Sequence, residues 1–223
     1  MNDTQRGLLA LTATVYVAFN LLELFGQAGR LSTLLKYAGV LLCLLVALLS
    51  DTRRVNPADH RALLLGLTLT ALSDTFLLFS ELLWVGLLCF CLVHLTYIRR
   101  VNPIAFVPLL LATLAVLLLL LAAEWLAVGP PLILSLAVLY ALLFGLDLLF
   151  ALRAAHLPQS TQRVLLAGLV LFALCDLNVA VSHLATGALQ QAASSLIWIF
   201  YLPSQGLLAL SGIRFAGAAE QRT

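Results

Sequence analysis

Apolar positions along this chain come in long unbroken runs, not at the spacing of a half-buried helix or strand. The runs last about 17–22 residues, the length an α-helix needs to cross the hydrocarbon of a bilayer. They place spans near residues 8–25, 31–50, 62–80, 82–99, 104–123, 130–151, 163–184 and 192–213. A tight turn around Ser80-Glu81 joins the third and fourth. Connections this short predict antiparallel neighbours.

Composition agrees with the pattern. The 223 residues are 63% hydrophobic and 10% charged, and the mean hydropathy is +1.08. Soluble domains carry roughly 25% charged residues. The chain therefore reads as all-α: a polytopic helical bundle of eight transmembrane helices, one transmembrane domain over residues 1–223, with no room for a soluble domain. Formal net charge is only +2, so there is no electrostatic footprint for nucleic acid, and the lipid bilayer is the evident partner. Cys43, Cys89, Cys91 and Cys175 all fall in apolar runs without a C-x-x-C spacing. They read as small buried hydrophobes, not as a disulfide framework or a zinc site. Arg6 ahead of an apolar run imitates a signal peptide, but that run holds Asn20 and Glu23 and lacks a clear cleavage site. It reads as a retained first helix.

Charge adds an orientation. With eight spans, one side of the membrane collects Arg6, Arg53, Arg54, Arg61, Arg99, Arg100, Arg153, Arg163, Arg214 and Arg222, and the other holds Arg30 alone. Basic residues favour the cytoplasmic side, so both termini are expected in the cytoplasm.

Two spans share a frame. "RALLLGLTLTALSD" from Arg61 and "RVLLAGLVLFALCD" from Arg163 align with Arg, Gly and Asp at the same offsets, at a shift of 102 residues. The frame predicts a parallel 4+4 internal repeat that maps helix three onto helix seven. The plain alternative is chance between two leucine-rich helices. Either way, Asp74 and Asp176 stand thirteen residues beyond their arginines, about 20 Å along the helix.

A carboxylate in hydrocarbon costs several kcal/mol unless it is paired or faces water. Lys36 is the only lysine. About five residues into helix two, it is expected at the depth of Asp74, roughly 8–9 Å from the same face. Its plain reading is an interfacial lysine reaching outward. Tyr16, Asn20 and Glu23 stripe helix one, and Ser194, Trp198, Tyr201 and Gln205 stripe helix eight. Helix seven adds Asn178 and His183, and helix four adds His94 and Tyr97. Tyr16 and Trp198 also suit simple packing, and His94 suits a hydrogen bond between helices. Asp147, close to Arg153, reads as structural. Glu81, Glu124 and His183 read as loop or interfacial residues. The expected arrangement is a polar cavity with Asp74 opposite Asp176 and Lys36 near, one acid protonated and one ionised, which suits general acid and general base roles.

These motifs, in this order, resemble the lysoplasmalogenase (YhhN-type) family of eight-helix membrane proteins. The elements are Lys36 in helix two, "ALSDTFLLF" in helix three, "LVHLTYI" with His94 and Tyr97 in helix four, "LFALCDLNVA" in helix seven, and "YLPSQ" with Tyr201 and Gln205 in helix eight. Two positions depart from the family's usual Lys-Pro and Gly-Asp: here they are Lys36-Tyr37 and Ser73-Asp74. The resemblance implies hydrolysis of the vinyl ether bond of lysoplasmalogens to a fatty aldehyde and a glycerophospho-ethanolamine or -choline. It implies Asp74 and Asp176 as catalytic residues. Lys36, Asn20, His94, Tyr97, Asn178, Trp198, Tyr201 and Gln205 are then the substrate-binding set, with no cofactor and no metal. A lysophospholipid is the implied substrate, and a bacterial inner membrane the expected location. A proton-coupled transporter is the alternative, since repeated halves with intramembrane acids also describe transporters. A metal-dependent lipid hydrolase calls for more histidines. A purely structural role for the acids is a costly way to hold helices together.

Overall fold

The computed structural model describes residues 1, 3–27, 29–50, 56–155 and 157–220, with side chains as far as residue 212. Among them are eight helices long and apolar enough to cross a membrane. They are α1 Asp3–Leu24, α2 Arg30–Leu48, α3 Pro57–Phe79, α4 Leu83–Val101, α5 Pro103–Trp125, α6 Leu132–Arg153, α7 Gln159–Leu184 and α8 Gly187–Glu220. The protein is an all-helical integral membrane protein, as the run lengths require. Arg53, Arg54, Arg222 and the side chain of Arg214 lie outside the described residues.

The chain divides into two compact units, Met1–Pro57 with Leu157–Thr223, and Ala58–His156. The first holds α1, α2, α7 and α8, and the second the four helices from the middle of the chain. This grouping does not follow a division into helices one to four and five to eight.

In the first unit α8 packs on α7, α2 and α1. Glycines allow the close approaches. A Cβ built at Gly39 on α2 stands 2.6 Å from Leu202 Cδ2, and one at Gly168 on α7 stands 3.1 Å from the Leu208 side chain. Close helix approach over small residues is how helices gain dispersion contacts where lipid removes the hydrophobic drive. At the far end of α2, the buried Gln5 side chain donates to the Leu49 carbonyl, 3.0 Å, satisfying backbone that the helix leaves open.

In the second unit α4 is central and is the most enclosed span of the protein, whereas α5 is the least enclosed and presents leucines outward. The Ser73 hydroxyl on α3 donates to the Gly86 carbonyl on α4, 2.8 Å. Further along, a Cβ at Gly66 stands 2.6 Å from the Tyr97 ring. At the other end of this interface Arg100 grips Asp59 through two bonds, Nε–Oδ1 at 2.9 Å and a second at 3.2 Å to Oδ2. The turn at Ser80-Glu81 falls where the sequence places it, between α3 and α4, and Ser80 Oγ accepts from the Leu82 amide. Asn102 both ends α4 and caps α5, its side chain accepting from the Ala105 amide with Pro103 at the first helical turn. All four cysteines are buried, and none of them forms a disulfide.

Candidate functional site

The first unit holds Asn20, Lys36, Asp176, Asn178, Trp198, Tyr201 and Gln205, and the second holds Asp74, His94 and Tyr97.

Asp74 is five residues from the end of α3, about 8 Å along the axis. It is only 3% exposed, beside the Ser73 hydroxyl that ties α3 to α4. An acid enclosed to this degree is held by its surroundings, not by solvent. Asp176 is half-buried on α7, eight residues from the end of that helix and next to the buried Cys175. Asn178 is turned onto its own helix, its amide donating to the Leu174 carbonyl, 2.7 Å.

Lys36 finds its counter-charge inside its own unit. It forms an ion pair with Glu23, near the end of α1. Glu23 also accepts from the buried Ser32 hydroxyl on α2, 2.8 Å. The Lys36 ammonium lies 5.1 Å from the centre of the Trp198 ring and 5.8 Å from that of Phe19. These rings continue a wall: Trp198 meets Tyr201 edge-on at 5.1 Å, and Tyr201 meets Phe172 at 5.5 Å. Of the polar stripe expected on α8, Ser194 is exposed, Trp198 half-buried, and Tyr201 and Gln205 fully enclosed. Gln205 Oε1 has no hydrogen-bond partner among the described residues, while its amide nitrogen reaches Ser204 Oγ at 3.3 Å. On α1 the Tyr16 hydroxyl donates to the Ile199 carbonyl, 3.2 Å, and Asn20 donates to Tyr16 O, 2.8 Å. The stripe at positions 16, 20 and 23 is therefore the α1 edge of this cluster. Glu23, the partner of Lys36, was visible in the sequence as the third member of that stripe.

In the second unit Asp147, which read as structural and close to Arg153, finds its partner on another helix. Six positions along a helix turn through about 240°, so the two side chains leave different faces. Asp147 instead meets His94, Nδ1 to Oδ2 at 3.0 Å, with both side chains 0% exposed. The imidazole stacks on Phe144, centroids 4.4 Å apart and rings 17° from parallel. His94 thus bonds α4 to α6. Tyr97 is fully enclosed one turn further on. Among the described residues no three His, Cys, Asp or Glu side chains gather as a metal site would. An apolar cleft of about 380 Å³ between α5 and α6, lined by Val116, Leu120, Leu134 and Val138, contains none of the candidate residues.

The YhhN family's sequence model matches residues 31–212. The chain belongs to the YhhN family. No curated protein and no solved structure matches it. The matched region runs from the start of α2 into α8. It takes in every candidate residue of this YhhN-family protein except Asn20, and it leaves Glu23 outside.

Proposed function

We propose that this YhhN-family protein is a membrane lipid hydrolase that cleaves the vinyl ether bond of lysoplasmalogens. The observation that carries the reading is Asp74, a carboxyl group kept from solvent in the apolar stretch near the end of α3 in a family member. Vinyl ether hydrolysis needs a positioned carboxyl group as acid or base, and this one is shielded from bulk water.

The reaction begins with transfer of a proton to the β-carbon of the vinyl ether. The C=C electrons form the new C–H bond, and the positive charge is shared between the α-carbon and the ether oxygen. A neighbouring carboxylate stabilises this oxocarbenium ion electrostatically. Water adds to the α-carbon and loses a proton to that carboxylate. The hemiacetal then collapses: its hydroxyl proton leaves, the C–O bond to glycerol breaks, and the glycerol oxygen takes a proton. One water is consumed, and fatty aldehyde and glycerophospho-amine are released. Asp74 and Asp176, one in each unit, are the proposed acid/base residues, without assignment of which is which. Lys36 is proposed to meet the phosphate, with Asn20, Asn178, Trp198, Tyr201 and Gln205 of its own unit as the binding set. The bacterial cytoplasmic membrane, with both termini inside, is the proposed setting.

The test is fatty-aldehyde release from a lysoplasmalogen by the purified full chain in detergent. Aldehyde from wild type, lost on Asp74→Asn with gel filtration unchanged, supports the reading. A well-folded protein that releases none overturns it, and proton-coupled flux in liposomes then becomes the measurement.

A further inference from the structure

We infer that the first half of α8 is a hinged arm over Lys36, with Pro203 as its hinge and the Tyr16 hydroxyl on α1 as its latch. On the proposed reading the molecule admitted by the arm is the lysolipid, but the motion itself does not rest on that reading.

Proline has no N–H to donate, and its ring crowds the carbonyl four residues back. Pro203 lies inside α8, so the carbonyl left without its helical donor is that of Ile199. Another helix takes it up: the Tyr16 hydroxyl donates to Ile199 O, 3.2 Å. A neighbouring side chain of this kind is what makes a proline break tolerable in a membrane span. The residues that follow loosen the break further. Ser204 turns its hydroxyl back to the Tyr201 carbonyl, 2.7 Å, the kind of bond that bends a helix. Gly206 comes next, and a Cβ there would meet nothing within 4 Å, so close packing does not explain the glycine.

Packing changes at the same place. Among residues 187–200 only Ala193 is buried. Past the proline, Gln205, Leu208, Ala209 and Ser211 are all 0% exposed, and Leu208 closes on Gly168 of α7. The second half of α8 is therefore fixed in the unit, and the first half is loosely packed. The first half is pinned next to the latch. Trp198, the neighbour of Ile199, stands edge-on to Phe19 at 6.0 Å and 5.1 Å from the Lys36 ammonium. Gln190, Gln191, Ser194 and Ser195 on the arm are exposed and tolerate water as it opens. Swinging the arm about Pro203 breaks the Tyr16 bond, lifts Trp198 away and uncovers Lys36, which keeps its ion pair with Glu23.

The test uses the fact that Lys36 is the only lysine. A water-soluble N-hydroxysuccinimide ester acylates it in the purified full chain in detergent, and mass spectrometry separates it from the N-terminal amine. Tyr16→Phe removes the latch hydroxyl alone and should speed acylation of Lys36 by about three- to tenfold, the scale of one hydrogen bond. Pro203→Ala gives Ile199 O a helical donor and should slow it. Adding Tyr16→Phe to Pro203→Ala should then leave the rate unchanged. No gain in Tyr16→Phe overturns the inference. So does an equal gain in the Pro203→Ala background, because Tyr16 then does not act through the freed carbonyl. Amide hydrogen exchange in Tyr16→Phe should quicken before Pro203 and stay as in wild type over residues 204–212. Faster exchange on both sides overturns the hinge, and this comparison decides alone if Pro203→Ala does not fold. None of these readouts uses aldehyde release, so the arm and the proposed reaction stand or fall separately.

Discussion

His94 on α4 and Asp147 on α6 meet at 3.0 Å with neither side chain reaching solvent. Two ionisable groups enclosed together need each other, because either alone is left without its partner in an apolar interior. Asp147→Leu should therefore destabilise the protein by about 3 kcal/mol, the usual scale for breaking a buried pair. Changing His94→Phe in the same molecule should recover most of that loss, since an apolar pair of similar volume leaves nothing unsatisfied. Thermal unfolding in detergent of both single variants and the double checks this. Additive losses would show that the pair is not energetically coupled.

Asp74→Asn and Asp176→Asn should each lower turnover by about 10²- to 10⁴-fold, the contribution expected of a positioned acid or base. Asparagine keeps the shape but can neither give nor take the proton. Asp3→Asn, on an exposed carboxylate in the first turn of α1, should leave aldehyde release unchanged. Turnover that survives either of the first two changes removes that residue from the chemistry.

The order of steps leaves a label. If the proton goes to carbon, hydrolysis in D₂O should place one deuterium on the carbon next to the aldehyde carbonyl. Mass spectrometry of the aldehyde, trapped as it forms, reads this directly. An unlabelled aldehyde would mean that the ether is broken without protonation at carbon.

Much of this was legible in the sequence, for a physical reason. Bilayer thickness fixes span length, so a run such as residues 163–184 declares itself and ends within a residue of the observed α7. Asp74 and Asp176 stand out because acids are expensive where they lie. Partner choice is different. Eight helices with similar leucine-rich surfaces carry little information about which lies beside which. Lys36 was matched by depth to Asp74, yet Glu23 answers it within its own unit. Glu23 was on view in the 16, 20, 23 stripe, but nothing in the sequence tied it to Lys36. Asp147 read as structural from its place near Arg153, but its partner, His94 on another helix, was not legible.

Glycine offers a paired test of packing within one unit. A Cβ at Gly66 would stand 2.6 Å from the Tyr97 ring and 3.0 Å from Thr96 Oγ1, whereas one at Gly145 meets nothing within 4 Å. The Tyr97 ring is fully buried and has nowhere to move. Gly66→Ala should cost about 1–3 kcal/mol, the range for overfilling a packed interior. Gly145→Ala should stay within about 0.5 kcal/mol of wild type, as for a change that touches nothing. Unfolding of the two variants side by side separates steric closeness from any general preference for glycine in these helices.

Arg100 and Asp59 make the last test, because geometry and charge can be separated there. The guanidinium fork engages both carboxylate oxygens, at 2.9 and 3.2 Å, and the Arg100 and Asp59 side chains are only 3% and 7% exposed. Lysine keeps the charge but offers a point donor in place of the fork. Arg100→Lys should therefore cost about 1–2 kcal/mol, close to one charge-assisted hydrogen bond. Arg100→Met removes the charge, fills similar space, and leaves Asp59 enclosed without its cation. Its cost should be larger, about 3 kcal/mol or more. Adding Asp59→Leu to Arg100→Met should return stability toward wild type. Equal losses for the Lys and Met variants would mean that charge contributes nothing here and that only the shape of the fork matters.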